Sequence, residues 1–302
     1  GSQIMSSSDG VPLLNAAQAT FPNGFWWIKD RQNSNSWQYV SNIGGTQRVT
    51  KSPGATGSYN GSYPSYSAPS GDSIAYCWKY DSSDPTINGF EMKTNVGNGS
   101  TTISHNLGKA PDFIMAFAGR MDLPFAIYHS AVAGERNTWS ADLFYAGEGW
   151  WGSNSDFTST TFGVQANNSY TNPTGYTNLY FLWTAVEGYS KFGSYTGNGS
   201  ADGSFVYLGF KPAFILLKSS TNAFDWQIYD STRSPNNPAT LTLRPNQSAS
   251  EVTSGNDLDI LSNGFKARDN GSINNNSGST YVYMAFAESP FGGENQPPAT
   301  AR

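Results

Sequence analysis

The residues that could do chemistry are few, and His129 is the best single candidate for a catalytic group. Histidine titrates near neutral pH and can act as a general acid or base. Glu135, Arg136 and Asp142 lie close to His129 in the sequence and could assist it. The alternative is that His129 is a polar residue at a strand end. The only other histidine, His105, lies in an alternating strand and is expected to face solvent.

Few residues of the sequence could bind a metal ion or act as a nucleophile. Zinc sites combine several Cys, His, Asp or Glu ligands at short spacing, whereas the single cysteine, Cys77, lies in an apolar run that predicts burial. Carboxylates such as Asp142 and Glu148 could hydrolyse glycosides only if the fold holds them about 5–10 Å apart. The sequence contains no phosphate-binding loop, nucleophile elbow or calcium loop. We expect no metal and no cofactor.

Candidate binding residues are easier to find. Trp150 and Trp151 lie among glycines, where a tryptophan can stack on a sugar ring or instead fill a gap between neighbouring units. The Ser, Gly, Pro and Tyr stretch 57–70 resembles adaptable binding loops, in which tyrosine gives contact area at low entropic cost; the alternative is an ordinary irregular loop. The ligand-contact candidates are Trp150, Trp151, Tyr145, Tyr59, Tyr63, Tyr66, Arg120 and Asp122.

Composition narrows the class of protein. Charged residues make up 13% of the chain, against about 25% in an average soluble protein. Aromatic residues reach 15%, enough to bury real cores. The net charge is −5 without any cluster of Lys and Arg, which argues against nucleic acid as a partner. No apolar run approaches the roughly 18 residues of a membrane-spanning helix, so we expect no membrane insertion.

The elements that must position these residues form an internal repeat. Gly-Asn-Gly-Ser at 97–100 returns at 197–200, and a proline followed by an apolar strand at 110–115 returns at 211–216. Ordered matches with a slowly drifting offset are hard to obtain by chance. Three more follow in order: 125–130 with 226–231, 156–162 with 259–265, and 179–183 with 282–286.

A shorter third copy precedes these two. Its proline strand is at 22–28, its next strand at 37–42 and its closing strand at 74–78, and it is expected to lack a first strand. The predicted organisation is a cleavage remnant and leader at 1–14, β repeats at 15–84, 85–188 and 189–291, and a flexible tail at 292–302.

The fold class follows from the character of each motif. The apolar runs are short, rich in Val, Ile, Tyr, Phe and Trp, and bounded by Gly, Asn, Ser or Pro, as β-strands are. Asn-Gly pairs such as Asn263-Gly264 are typical of hairpin turns. We predict an all-β protein made of three tandem antiparallel β-sandwich-like repeats of about 100 residues, the first of them shortened.

The repeat resembles a known family. The segments 187–199, 209–213, 261–266 and 281–288 are similar to the tandem repeat of virion structural proteins from marine tailed phages, including cyanophage-like viruses. Those proteins are described as tail-fibre, appendage or adhesin-like components. The resemblance extends over 85–291 and reaches the first copy only through the internal repeat. It implies a virion-surface protein that contacts the host, often as a trimer, and it carries over no binding residue.

These inferences favour one function and leave two alternatives open. The favoured one is a non-catalytic phage virion appendage or tail-fibre protein that binds a host-surface glycan or protein through loop aromatics. Its expected location is the surface of the virion, and its expected partners are the host surface, other virion proteins and further copies of the chain. The alternatives are a purely structural virion spacer protein and a polysaccharide lyase or hydrolase.

Overall fold

Twenty β-strands and two short 3₁₀ helices form the regular structure of the described residues, in a computed structural model of the chain. The all-β class is therefore confirmed. No helix in this described part is long and apolar enough to cross a membrane. The structure describes residues 2–7, 23–43, 46–52, 72–119, 123–133, 135–142, 144–146 and 149–288.

The chain divides into two compact units, and the first contains the segments predicted as copies one and two. Unit 1 comprises Gly1–Ser140, Tyr145–Thr184 and Asn246–Ser250. Unit 2 comprises Ala141–Phe144, Ala185–Pro245 and Glu251–Arg302, and it contains most of the predicted third copy. The main division, after Thr184, falls close to the predicted boundary at 188.

Unit 1 contains thirteen strands in three antiparallel sheets. The strands are β1 (Ser2–Ser7), β2 (Gly24–Asp30), β3 (Trp37–Ile43), β4 (Thr46–Ser52), β5 (Ser73–Lys79), β6 (Phe90–Val96), β7 (Thr102–Ser104), β8 (Phe113–Phe117), β9 (Ala126–His129), β10 (Glu135–Thr138), β11 (Tyr145–Ala146), β12 (Thr161–Gly163) and β13 (Thr177–Trp183). The sheet orders are β1-β5-β2-β3-β4, β11-β10-β9-β8-β13-β6 and β12-β7. The 3₁₀ helices are Ser130–Val132 and Asn154–Asp156.

Unit 2 contains seven strands in two antiparallel sheets. The strands are β14 (Ser190–Thr196), β15 (Phe205–Tyr207), β16 (Pro212–Ser219), β17 (Gln227–Asp230), β18 (Leu258–Leu261), β19 (Gly264–Ala267) and β20 (Thr280–Ala287). The sheet orders are β14-β20-β16-β17 and β15-β19-β18. Their facing side chains share one core, in which Val206 and Phe265 of the small sheet join Ile215, Leu217 and others of the large sheet. Unit 2 is thus a small β-sandwich.

The three larger sheets share one strand order. In each sheet the closing strand lies between the first strand and the proline strand, and the strand that follows the proline strand in sequence lies on its other side. The orders are β1-β5-β2-β3, β6-β13-β8-β9 and β14-β20-β16-β17. The expectation that the first copy lacks a first strand is wrong, because Ser2–Ser7 pairs with Ser73–Lys79 over its whole length. This strand is short and mostly polar, so it lacks the apolar pattern by which strands are predicted.

β13 is buried on both faces, which explains its unbroken apolar sequence. Tyr180 and Leu182 face a core that includes residues of β7 and β12. Phe181 and Trp183 face the five-stranded sheet, where the ring of Phe25 stacks on Phe181 with the centroids 3.6 Å apart. In the described residues, the five-stranded sheet therefore packs against the back of the second copy's sandwich.

Candidate functional site

The two tryptophans predicted to contact a ligand have different environments. Trp151 belongs to the core: its ring packs against Tyr128, and its Nε1 donates a hydrogen bond to the backbone oxygen of Ile127 at 3.0 Å. Trp151 thus fills the core of the second copy and not a gap between neighbouring units, and it is not placed to contact a ligand. Trp150 is only partly buried and stacks on Tyr170 with the centroids 4.3 Å apart.

The remaining predicted contacts are not brought together by the described structure. Tyr145 lies in β11, an edge strand of the six-stranded sheet, where its backbone pairs with Arg136. The other five candidates lie outside the described residues: Tyr59, Tyr63, Tyr66, Arg120 and Asp122.

Both histidines are buried. His129 ends β9, and its Nδ1 accepts a hydrogen bond from the backbone N–H of Ala131 at 3.1 Å, which caps the first 3₁₀ helix. The expectation that His105 faces solvent is wrong: it is 2% exposed, and its Nδ1 accepts the N–H of Leu107 at 3.2 Å. Burial lowers the pKa of His105. His105 shares the buried face of its strand with Ile103, two residues before it, so strand alternation by itself predicts burial.

The recurring Gly-Asn-Gly-Ser motif is hydrogen-bonded to a buried asparagine in each copy, and we call this contact the clasp. Asn172 donates to the backbone oxygen of Ser100 at 2.8 Å, and Asn275 donates to that of Ser200 at 2.6 Å. Both asparagine side chains are completely buried. The motif therefore ties the loop after the first strand to the loop before the closing strand in both copies.

Two lysines are buried at equivalent places in their sheets. Lys29 lies four residues after Phe25 in β2, and Lys218 lies four residues after Phe214 in β16. Their ammonium groups donate to backbone oxygens, at 2.9 Å for Lys29 with Asn33 and at 2.8 Å for Lys218 with Ser219. Burial lowers the pKa of Lys29 to about 8 and that of Lys218 to about 7. Both ammonium groups therefore lose a proton at a lower pH than an exposed lysine does.

Unit 2 displays two large aromatic side chains on the surface of one strand. Phe205 is 48% exposed and Tyr207 is 55% exposed, while Val206 between them lies in the core. Because successive residues of a strand point to opposite faces, both rings lie on the outer side of β15. We call this outer side, with the outward side chains of β18 and β19, the aromatic face. Large apolar groups on an open surface often mark interaction sites.

Each ring of the aromatic face lies beside a glycine. A Cβ at Gly264 would lie 3.2 Å from Cε2 of Phe205, so this ring covers a position without a side chain. A Cβ at Gly209 would lie 3.7 Å from the Tyr207 hydroxyl. Lys191 donates to the backbone oxygen of Tyr207 at 2.8 Å, and its Nζ is 5.4 Å from the centre of the Tyr207 ring.

A row of paired charges lies beside the rings. Lys266 is opposite Phe205 in register, and Asp259 is opposite Lys266. Lys266 Nζ lies 2.5 Å from Oδ1 of Asp202, and Arg268 Nε lies 3.2 Å from Oδ2 of Asp259. The hydrogen bond from Lys266 holds the pKa of Asp202 below its usual value. Positively and negatively charged side chains alternate along this row, so hydrogen-bond donors and acceptors alternate as well.

The equivalent face of the second copy is different. Ile103 pairs with Phe162 as Val206 pairs with Phe265, so Thr102 and Ser104 occupy the places of the two aromatic residues. The place of Lys266 is taken by Gly163, and a Cβ there would lie 2.7 Å from the Cα of Gly152. The chain itself therefore covers part of this face. The loop before β15 is also three residues longer than the loop before β7, and Asp202 lies in the added length.

The sequence reasoning missed Phe205 and Tyr207. A usable signal was present, because a Phe-Val-Tyr strand in the third copy aligns with Thr-Ile-Ser at 102–104. Aromatic residues at positions where a sister copy has small polar ones indicate a surface role. The described residues contain no group of three or more His, Cys, Asp or Glu side chains that could hold a metal ion.

Comparison with protein families finds one match. A family model described as Domain of unknown function (DUF7483) matches residues 8–290. Comparison with curated proteins and with solved structures finds no match.

Proposed function

The chain belongs to the DUF7483 family, and from its surface we propose that it is a non-catalytic virion appendage or tail-fibre protein that attaches the particle to a host surface. The observation that carries the proposal is the aromatic face of unit 2. Phe205 and Tyr207 are about half exposed, and their sister positions in unit 1 carry small polar residues. A surface of this kind favours binding over a purely structural spacer role.

The virion assignment rests on the repeat sequence. Segments 187–199, 209–213, 261–266 and 281–288 resemble virion structural proteins of marine tailed phages. In such a particle the protein would lie at the surface, beside other virion proteins and, in this proposal, further copies of itself. The ligand would be a glycan or a protein of the host surface.

Attachment can be tested with the whole chain. We expect fluorescently labelled protein to bind intact cells from a panel of marine bacteria and cyanobacteria, and to block adsorption of a phage that carries it. The control is the same protein after heat denaturation. Absence of binding to every cell type that such a phage infects would overturn the proposal and favour the spacer function.

A further inference from the structure

We infer that the aromatic face binds an uncharged saccharide chain, with sugar rings stacked on Phe205 and Tyr207. This inference deepens the proposed function and rests on it, since it names the chemical class of the host ligand. It is carried by three properties of the described residues: the placement of the two rings, the chemistry of the row of charges beside them, and the small size of the apolar patch.

The placement of the rings suits a chain of linked sugar units. Residues i and i+2 of a strand are about 7 Å apart, so Phe205 and Tyr207 form two neighbouring stacking positions along β15. Each position has one flat aromatic surface, and the C–H groups on one side of a sugar ring pack well against such a surface. An aromatic side chain has only two χ angles, so little rotamer entropy is lost on binding.

The row of charges suits hydroxyl groups. A sugar hydroxyl, like that of serine, is one donor and two acceptors. The carboxylates of Asp202 and Asp259 supply acceptors, and Lys266 and Arg268 supply donors, all within one patch. Each ion pair places a donor beside an acceptor, so vicinal hydroxyls can meet both together. A densely anionic chain would instead meet the two carboxylates.

The size of the patch argues against a protein ligand. A fully buried aromatic side chain removes about 150–250 Å² from water, and here each of the two rings is only about half exposed. A stable protein interface buries about 800 Å² on each partner. Two rings and a short polar row match one or two sugar units far better than such an interface.

The experiment compares two matched variants of the whole chain on an array of uncharged oligosaccharides, acidic polysaccharides and immobilised host-surface proteins. F205T/Y207S replaces the aromatic pair with the residues of the second copy. T102A/S104A is the control, because it trims the equivalent exposed positions of β7. Unchanged circular dichroism and thermal unfolding of both variants would show that they fold.

We expect wild type to bind at least one uncharged oligosaccharide, and F205T/Y207S to bind it at least about tenfold more weakly, as for the loss of a central interface contact. T102A/S104A should bind like wild type. Binding should change less than about twofold between 0.1 and 1 M salt, since no net charge pairs with the ligand.

Other outcomes overturn the inference. Binding only to acidic polysaccharides and loss of that binding in high salt would indicate an anionic ligand. Loss of cell binding after protease treatment of the cells, but not after periodate oxidation of their glycans, would indicate a protein. If wild type and F205T/Y207S bind cells equally, the attachment proposal stands and the saccharide site falls. If wild type binds no cell and no glycan, both fall.

Discussion

The small sheets of the two units, β12-β7 and β15-β19-β18, have the same strand pairing and opposite surfaces. Inside, Ile103 with Phe162 corresponds to Val206 with Phe265, and all four residues are buried. Outside, threonine, serine and a chain-covered glycine stand where unit 2 has phenylalanine, tyrosine and lysine. Core positions are restricted by close packing, whereas exposed strand positions tolerate change. The difference therefore lies in the exposed positions of the two sheets and not in their cores.

The largest expected effect tests the clasp, the buried asparagine contact that the second and third copies share. N275A should lower the free energy of unfolding by about 3 kcal/mol, and N172A by about 2 kcal/mol, because each removes a buried side chain and its hydrogen bonds to partly buried backbone oxygens. Nδ2 of Asn275 is within hydrogen-bond distance of three oxygens, Oδ1 of Asn198 and the backbone oxygens of Ser200 and Asp269, so the loss in N275A is larger. Denaturant unfolding measures both. A loss below about 0.5 kcal/mol in either variant would show that the clasp is not a shared support.

The second prediction concerns a buried residue that differs between copies. In the sheet register Lys218 corresponds to Phe117. A lysine whose folded pKa is about 7 contributes fully to stability above its usual pKa of 10.5, and this contribution is lost as the pH falls towards 7. We expect wild-type stability to rise between pH 7 and pH 9, and K218M to remove about 2 kcal/mol of that rise.

The control for K218M is K211M. Lys211 is exposed and forms a surface ion pair with Glu288, with 2.8 Å between Nζ and Oε2. This variant should keep the wild-type slope of stability against pH. An equal slope in K218M and wild type would show that Lys218 is not held in its buried position.

The third prediction exchanges another buried residue. His105 and Leu208 occupy equivalent positions, because each directly follows its strand, β7 or β15. Their backbone N–H groups donate to the backbone oxygens of Thr160 and Asn263, respectively. Because burial lowers the pKa of His105, its contribution is full above pH 6.5 and is lost as the pH falls below that value. H105L should reduce the acid loss of stability between pH 7.5 and pH 5. The slope is the readout, because the freed N–H of Leu107 weakens H105L at every pH.

The smallest expected effect is on the aromatic face itself. F205T/Y207S should change the free energy of unfolding by less than about 0.5 kcal/mol, because surface substitutions away from caps and buried networks seldom do more. Thermal unfolding measures this change. A loss above about 2 kcal/mol would mean that the rings stabilise unit 2, and the contrast between a structural face and a binding face would then break down.

Much of the fold was predictable because strand runs and turn residues are local signals. The match of 156–162 with 259–265 correctly places β12 and β19 in equivalent positions. β1 was missed because its polar sequence becomes a strand only through pairing with β5. The site was predicted poorly for a related reason. Trp151 and Phe205 are both large aromatics, and only tertiary packing decides that one is buried and the other exposed.

The two buried faces of β13 have a consequence for how such repeats can be exchanged. The second copy presents Phe181 and Trp183 to the sheet of the first copy, so a crossover between these two copies would uncover a wide aromatic surface. A crossover after Thr184 leaves that pairing intact. Recombination that preserves solubility should therefore inherit copies one and two together.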